Sequence, residues 1–253
     1  MSIKDITIVI TSFKSDEIIE KCLNSIDRLC KVIVVENSND EIFKKNIEGM
    51  FDNVECILTG ENLGYGKANN IGLKKTNTKY ALILNPDATL DVTTLENFFE
   101  AIKQVPSFAI MAPYVQEKKD ENKKIYNKNS SPILVKNVKG FAMFLNMSEF
   151  KNIGLFDENF FFYFEEIDLC RRLVNDYKKI YLVPSIKINH IGGQSHNEVI
   201  NKAMELSRNW HWMWSTFYYH KKYKGFFISF FIVLPKLSSS VFKIIFYSLL
   251  LNK

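Results

Sequence analysis

Cysteine chemistry has little to work with in this chain. Cys22, Cys30, Cys56 and Cys170 are scattered through 253 residues with no CxxC pair and no metal-ligand spacing. That excludes a disulfide scaffold or a cysteine-bound structural metal and leaves four reduced core or helix residues. Two phosphate fingerprints are missing as well: there is no GxGxxG and no P-loop GK[ST], which argues against a dehydrogenase and an ATPase. No internal repeat or low-complexity tract occurs. The first 30 residues carry no signal-peptide pattern and lead straight into a strand pattern, so a cytoplasmic catalytic face is expected.

What is present suits a globular enzyme. With 47% hydrophobic residues and 21 phenylalanines, the chain can bury one large α/β core or two small ones. Residues 5–12 (DITIVITS) form a nearly continuous β-branched run, the mark of a strand buried on both faces. Residues 15–29 follow with helical apolar spacing, 31–35 read as a second buried strand, 40–50 as a helix and 54–58 as a third strand. This alternation predicts a mostly parallel sheet covered by helices, with ligands at the carboxyl ends of its strands. Residues 80–84 (YALIL) predict another strand, 93–103 a helix and 108–113 a strand. Residues 135–145 read as one strand kinked at Gly140, and 180–184 with 186–188 as a short strand pair. The mixed-charge run 117–128 reads as a solvated loop.

Four stretches carry candidate chemistry. The turn 61–72 (ENLGYGKANNIG) combines close glycines with Lys67, Asn69 and Asn70, donors suited to phosphate or base. At the end of the 80–84 strand, Asn85–Pro86–Asp87 places a carboxylate where it can ligate a hard divalent cation; a Pro-Asp turn capping the next helix is the plainer alternative. His190 sits at a strand end before a Gly-Gly turn. Residues 156–172 (FDENFFFYFEEIDLCRR) set five acidic residues among five phenylalanines and a tyrosine. Carboxylates in an aromatic wall lose water, and desolvation raises their pKa towards that of a useful base. The alternative is an acidic helix start favoured by the helix dipole.

Taken in order, ITIVITSF, VIVVENS, ENLGYGKANNIGL, LILNPDA, GLFDENFFFYFEEIDLCRRL and NHIGGQS resemble the family 2 glycosyltransferases of GT-A fold. The bacterial rhamnosyltransferase-like subgroup is the nearest match, and the resemblance covers about residues 6–195. It implies a GT-A, Rossmann-like catalytic domain at 1–205, with a nucleotide-sugar half near 1–90 and an acceptor and catalytic half near 91–205. Asp87 then corresponds to the acidic turn that holds Mg²⁺ or Mn²⁺ on the donor diphosphate, with Asn85 standing in for the first Asp, and His190 completes the metal site. Glu166 corresponds to the catalytic base, although the family has Asp there, which leaves Glu165, Glu166 and Asp168 as candidates for the proton. Thr11, Ser12, Glu36, Asn62, Gly64, Lys67 and Asn69 are implied to line the nucleotide pocket.

The implied activity is inverting, metal-dependent transfer of a sugar, rhamnose foremost, from a dTDP- or UDP-sugar to a hydroxyl of a lipid-linked or cell-surface glycan. The alternatives are a UDP-galactose, UDP-glucose or other UDP-sugar donor, or a catalytically silent membrane-tethered nucleotide- or glycan-binding protein. Residues 206–253 form a tail in which Arg208, His211, His220, Lys221, Lys222 and Lys224 mix with Trp and Tyr ahead of apolar 226–234 and 241–251. A basic-aromatic segment can bind nucleic acid, but the apolar tail fits a membrane surface better, so no nucleic-acid partner is expected. A spanning helix wants about 20 apolar residues; Pro235, Lys236 and Lys243 interrupt this one. Two short amphipathic helices at the membrane interface are therefore expected, peripheral on the inner face of the cell membrane, with a single kinked span or a homodimer interface as the alternatives for the tail.

Overall fold

The computed structural model describes residues 2–114, 131–190 and 198–251. The mixed-charge loop at 117–128 and the Gly-Gly turn after His190 lie outside the described residues. Ten strands and seven α-helices are described, in the order β1 (Ile6–Ser12), α1 (Asp16–Asn24), β2 (Lys31–Glu36), α2 (Glu41–Met50), β3 (Val54–Leu58), α3 (Tyr65–Lys74), β4 (Tyr80–Leu84), β5 (Ala88–Leu90), α4 (Thr94–Gln104), β6 (Ile110–Pro113), β7 (Ile133–Val135), β8 (Ala142–Asn146), α5 (Glu165–Asn175), β9 (Ile180–Val183), β10 (Ile188–His190), α6 (Glu198–Lys224) and α7 (Phe226–Leu251).

Eight strands form one sheet in the order β3-β2-β1-β4-β8-β6-β9-β7, and β10 pairs β5 in a separate two-stranded sheet. The β3-β2-β1-β4 half is parallel, and β8 runs antiparallel between β4 and β6. Strand side chains alternate between faces, so Ile8, Ile10, Val32, Val34 and Leu82 pack with Ile19, Phe43 and Phe98 of α1, α2 and α4. Val9, Ala81 and Ile83 face the other way, onto Leu73 of α3 and Leu169 and Leu173 of α5. Gly72 sets the spacing there, because a Cβ on it would lie 2.4 Å from Val9 Cγ1. The four cysteines are free and buried, and burial pushes each thiol up to about 12.

Three expectations are corrected. Residues 135–145 are not one kinked strand: β7 is an edge strand on β9 and β8 lies inside the sheet, because the backbone leaves the ladder around Gly140, which packs between Glu166 and Tyr65. β9 and β10 do not pair with each other. The turn at Pro184 and Ser185 sends the chain from the main sheet to β5, where His190 falls opposite Ala88. The tail does not break at Pro235, which lies within α7; it breaks at Gly225, whose φ of 87° no L side chain adopts readily. α6 runs without interruption from Glu198 to Lys224.

Candidate active site

The carboxyl ends of β1, β2 and β4 surround a cavity of about 380 Å³. Thr11 lies at the end of β1 and Phe13 just after it, Asn37 follows β2, and Asn85, Pro86 and Asp87 follow β4. This is where a parallel sheet exposes strand ends to a ligand. Asn62, Gly64 and Tyr65 close one side, and Phe161 with Phe162 close another.

The loop before α3 is locked in place by hydrogen bonds. Asn37 Nδ2 donates to Asn62 Oδ1 at 3.0 Å and to the Gly64 carbonyl at 3.2 Å, while its Oδ1 accepts from the Leu63 N–H at 2.9 Å. Gly64 has φ 80°, and a Cβ there would sit 2.2 Å from the Phe161 carbonyl oxygen. The Tyr65 N–H donates to that same oxygen at 2.9 Å. Only glycine permits both the turn and the approach.

β5 and β10 bring Asp87 and His190 together, with Nε2 3.2 Å from Oδ1. Asp87 is buried, and the His190 ring stacks on Phe141 with centroids 4.4 Å apart. The Asn85 N–H donates to the Phe141 carbonyl at 2.8 Å, while Asn85 Oδ1 is buried and finds no hydrogen-bond partner among the described residues. No group of three or more His, Cys, Asp or Glu suited to a metal gathers among the described residues. A carboxylate, an imidazole and an orphaned amide oxygen nevertheless suit Mn²⁺ or Mg²⁺, which leave other positions to water and phosphate oxygens.

α5 starts after two successive left-handed residues, Tyr163 (φ 71°) and Phe164 (φ 70°). Such conformations cost on the order of 1–3 kcal/mol each and persist where the surroundings enforce them. Here the enforcement comes from both sides: the Phe161 carbonyl accepts from Tyr65, and the Phe162 carbonyl accepts from Ser215 Oγ at 2.8 Å. Glu165 is buried, with Oε2 unpartnered among the described residues. Burial, and then the Glu166 charge, push its pKa up; burial also raises Glu166. Neither lines the cavity. Tyr65 links them to it: its hydroxyl donates to the Gly140 carbonyl at 2.7 Å, and after burial the charges of Glu165, Glu166 and Asp87 all raise its pKa.

The remaining candidates divide. Thr11, Asn62, Gly64 and Asn85 line the cavity; Ser12, Glu36, Lys67 and Asn69 do not. Glu36 turns back on its own loop, accepting from Ser38 N–H, Ser38 Oγ and Asp40 N–H. Asn69 lies inside α3, its Nδ2 donating to the Tyr65 carbonyl at 2.9 Å, and Ser12 is buried. Asp168 is corrected as a proton acceptor. It is fully buried and its oxygens accept from Arg172 Nε at 2.8 Å, Lys222 Nζ at 2.7 Å and the Tyr223 hydroxyl at 2.7 Å. Three donors, two of them cationic, leave it holding helices together.

Phe13 and Asn37 fall within loops that the strand-end rule had flagged. Ser207, Arg208 and His211 were read only as tail, yet they line the cavity from α6, and His211 stacks on Phe161 with centroids 4.2 Å apart. The signal that would have found them is their helical register, discussed below.

A mostly parallel sheet flanked by helices, with an acidic turn after a central strand, is the α/β architecture that GT-A glycosyltransferases share. The sequence profile of "Glycosyl transferase family 2" matches residues 7–172, and the chain belongs to that family. It is 26% identical over 190 residues to the low-salt glycan biosynthesis hexosyltransferase Agl10 of Haloferax volcanii, covering 66% of this chain and 61% of that protein. It is 26% identical over 251 residues to the rhamnosyltransferase WbbL of Escherichia coli, covering 84% and 91%. Among solved structures, the mannosyltransferase PcManGT of Pyrobaculum calidifontis, in complex with GDP-Man and Mn²⁺, shares the fold at TM-score 0.60 and 13% identity, covering 75% of this chain and 58% of that one. TarS of S. aureus does so at TM-score 0.59 and 14% identity, covering 72% of this chain and 36% of that one.

Proposed function

We propose that the protein transfers a sugar, with inversion, from a nucleoside-diphosphate donor to a hydroxyl of a lipid-linked or cell-surface glycan. The observation that carries this reading is the Asp87–His190 pair, formed by two short strands at one end of a cavity whose Tyr65 wall is shared with two desolvated glutamates. Similarity to a rhamnosyltransferase favours rhamnose on dTDP or UDP; a hexose on UDP is the alternative, supported by the likeness to a hexosyltransferase.

Asp87 and His190 would hold Mn²⁺ or Mg²⁺, and Asn85, which also lines the cavity, offers a buried, unpartnered Oδ1. When bound, the ion supplies Lewis-acid neutralisation of the diphosphate charge. The acceptor oxygen bonds to the anomeric carbon as the carbon–diphosphate bond breaks; the bonding pair leaves with the diphosphate. The acceptor's proton passes to Glu166. Glu165, deeper and beside an ionised neighbour, keeps its own proton, because two adjacent carboxylates in a low dielectric resist double ionisation. Phe161 and Phe162 keep water from the reacting centre.

The test is transfer or donor hydrolysis with dTDP-rhamnose and a panel of UDP-sugars. The expected result is turnover with Mn²⁺ or Mg²⁺ that chelator abolishes, and that Asp87→Ala and Glu166→Ala each remove while the melting temperature stays near wild type. Nucleotide binding without turnover under any donor would make it a silent binder instead. For the tail, we propose contact with the inner face of a membrane. α7 exposes Phe226, Phe227 and Phe231, and no helix is long and apolar enough to cross a membrane among the described residues.

A further inference from the structure

We infer that Arg208, on α6, is the protein's own cation for the departing diphosphate. The inference rests on the nucleotide-sugar reading of the cavity and names a residue that completes the site.

The charge inventory of the cavity leads to it. Among the described residues that line it, Arg208 is the only one with a permanent positive charge and Asp87 the only carboxylate. Lys67, the cation that the Gly-rich turn offered for phosphate, does not line it; its charge instead lowers the pKa of Glu158. Burial lowers the His211 pKa, which favours its neutral form. A nucleoside diphosphate carries several negative charges and gains more on its terminal oxygen when the sugar leaves. A divalent cation offsets part of that. A guanidinium adds a planar fork of donors matched to two phosphate oxygens.

The helix register shows that Arg208 is placed there by design of the fold. Arg208, His211, Ser215, Tyr218 and Lys222 follow spacings of three and four, one face of an α-helix. Every one of them turns to the catalytic domain. Arg208 reaches the cavity and His211 stacks on Phe161. Ser215 binds the Phe162 carbonyl, the Tyr218 hydroxyl donates to Asp157 at 3.0 Å, and Lys222 binds Asp157 and Asp168, each at 2.7 Å. The opposite side carries Trp210 and Trp214, 61% and 46% exposed. The buried acids of the 156–172 stretch thus anchor the far end of a helix whose near end delivers a cation to the site. As the glycosidic bond breaks, the electron pair goes to the terminal phosphate oxygen, and Arg208 N–H groups donate to it without forming a covalent bond.

The experiment is calorimetric titration, with Mn²⁺ present, of wild type, Arg208→Gln and Arg208→Lys against UDP and UMP, and against dTDP and dTMP. Wild type is expected to prefer one diphosphate over its monophosphate. Arg208→Gln should weaken the diphosphate by about 10- to 100-fold, the range for a charged hydrogen bond, while monophosphate binding changes much less; Arg208→Lys should restore part of the gap. An unchanged diphosphate affinity in Arg208→Gln, or an equal loss for both nucleotides, overturns the assignment while leaving the nucleotide site intact. Wild type that binds neither nucleotide overturns the site reading and this inference together.

Discussion

Two glutamates at the start of α5 share one dry pocket, and their charges decide the chemistry expected there. The transfer step needs an ionised base, and burial raises both Glu165 and Glu166 above the usual glutamate value of about 4.3. The acid limb of the transfer rate is therefore expected above the ordinary carboxylate range, read from kcat against pH. Glu166→Gln should lower kcat by roughly 10²–10⁴-fold, the usual worth of a general base, and Glu165→Gln much less. Stability has the opposite sign: a raised folded pKa means the folded state holds the extra proton. The Glu165 penalty therefore grows as pH rises from about 4.3 to its raised folded value, and Glu165→Gln should increase the melting temperature near pH 8 and change it little at pH 4. At Gly64, both the left-handed φ and the Phe161 carbonyl oppose any side chain. Gly64→Ala should cost at least about 1–3 kcal/mol, read by denaturant titration. That glycine was legible as a close approach; its partner was not, because Phe161 lies about a hundred residues away in sequence.

At the scale of elements, the parallel half of the sheet was readable strand by strand, since doubly buried strands write continuous apolar runs. Short strands were harder. β5, β7 and β10 have three residues each, too few for a period to register, and the union of β5 with β10 that joins Asp87 to His190 depends on tertiary placement. α6 was only half legible for another reason: its basic and aromatic residues look like a membrane anchor in composition, and only their spacing reveals that one face docks on the catalytic domain. Lys222 ties that face to Asp157 and Asp168. Burial would raise the Asp157 pKa, but hydrogen bonds from Lys222 and Asn159 outweigh it and hold it at about 2. A depressed carboxylate stabilises the fold above its unfolded pKa of about 3.9, and that contribution is lost as pH falls from there towards about 2. Lys222→Met should weaken this acid-limb dependence in thermal melts, with the Asn159 hydrogen bonds retaining the rest, and loosen α6 as a unit, read as faster hydrogen exchange across the helix.

Across the whole molecule, one end carries the cavity lined by Asp87 while a helical hairpin presents apolar rings to the outside. α7 folds back on α6, bringing Lys236 Nζ 3.4 Å from the Trp212 ring centroid, and leaves Phe227 and Phe231 at 77% and 66% exposure. Co-sedimentation with anionic vesicles is expected for wild type and should fall sharply in Phe227→Asp/Phe231→Asp; a concentration-dependent dimer without vesicle binding would assign the face to a second copy instead. The central claim, a metal-dependent nucleotide-sugar site built on Asp87 and His190, is tested most directly by thermal melts with UDP or dTDP compounds, with and without Mn²⁺, in wild type and Asp87→Asn. A ligand at 100 times its Kd adds about 2.7 kcal/mol to the folded state. The account predicts a rise in wild type that needs nucleotide and metal together and vanishes in Asp87→Asn. A rise that ignores the metal, or no rise in folded protein with any nucleotide, would contradict it.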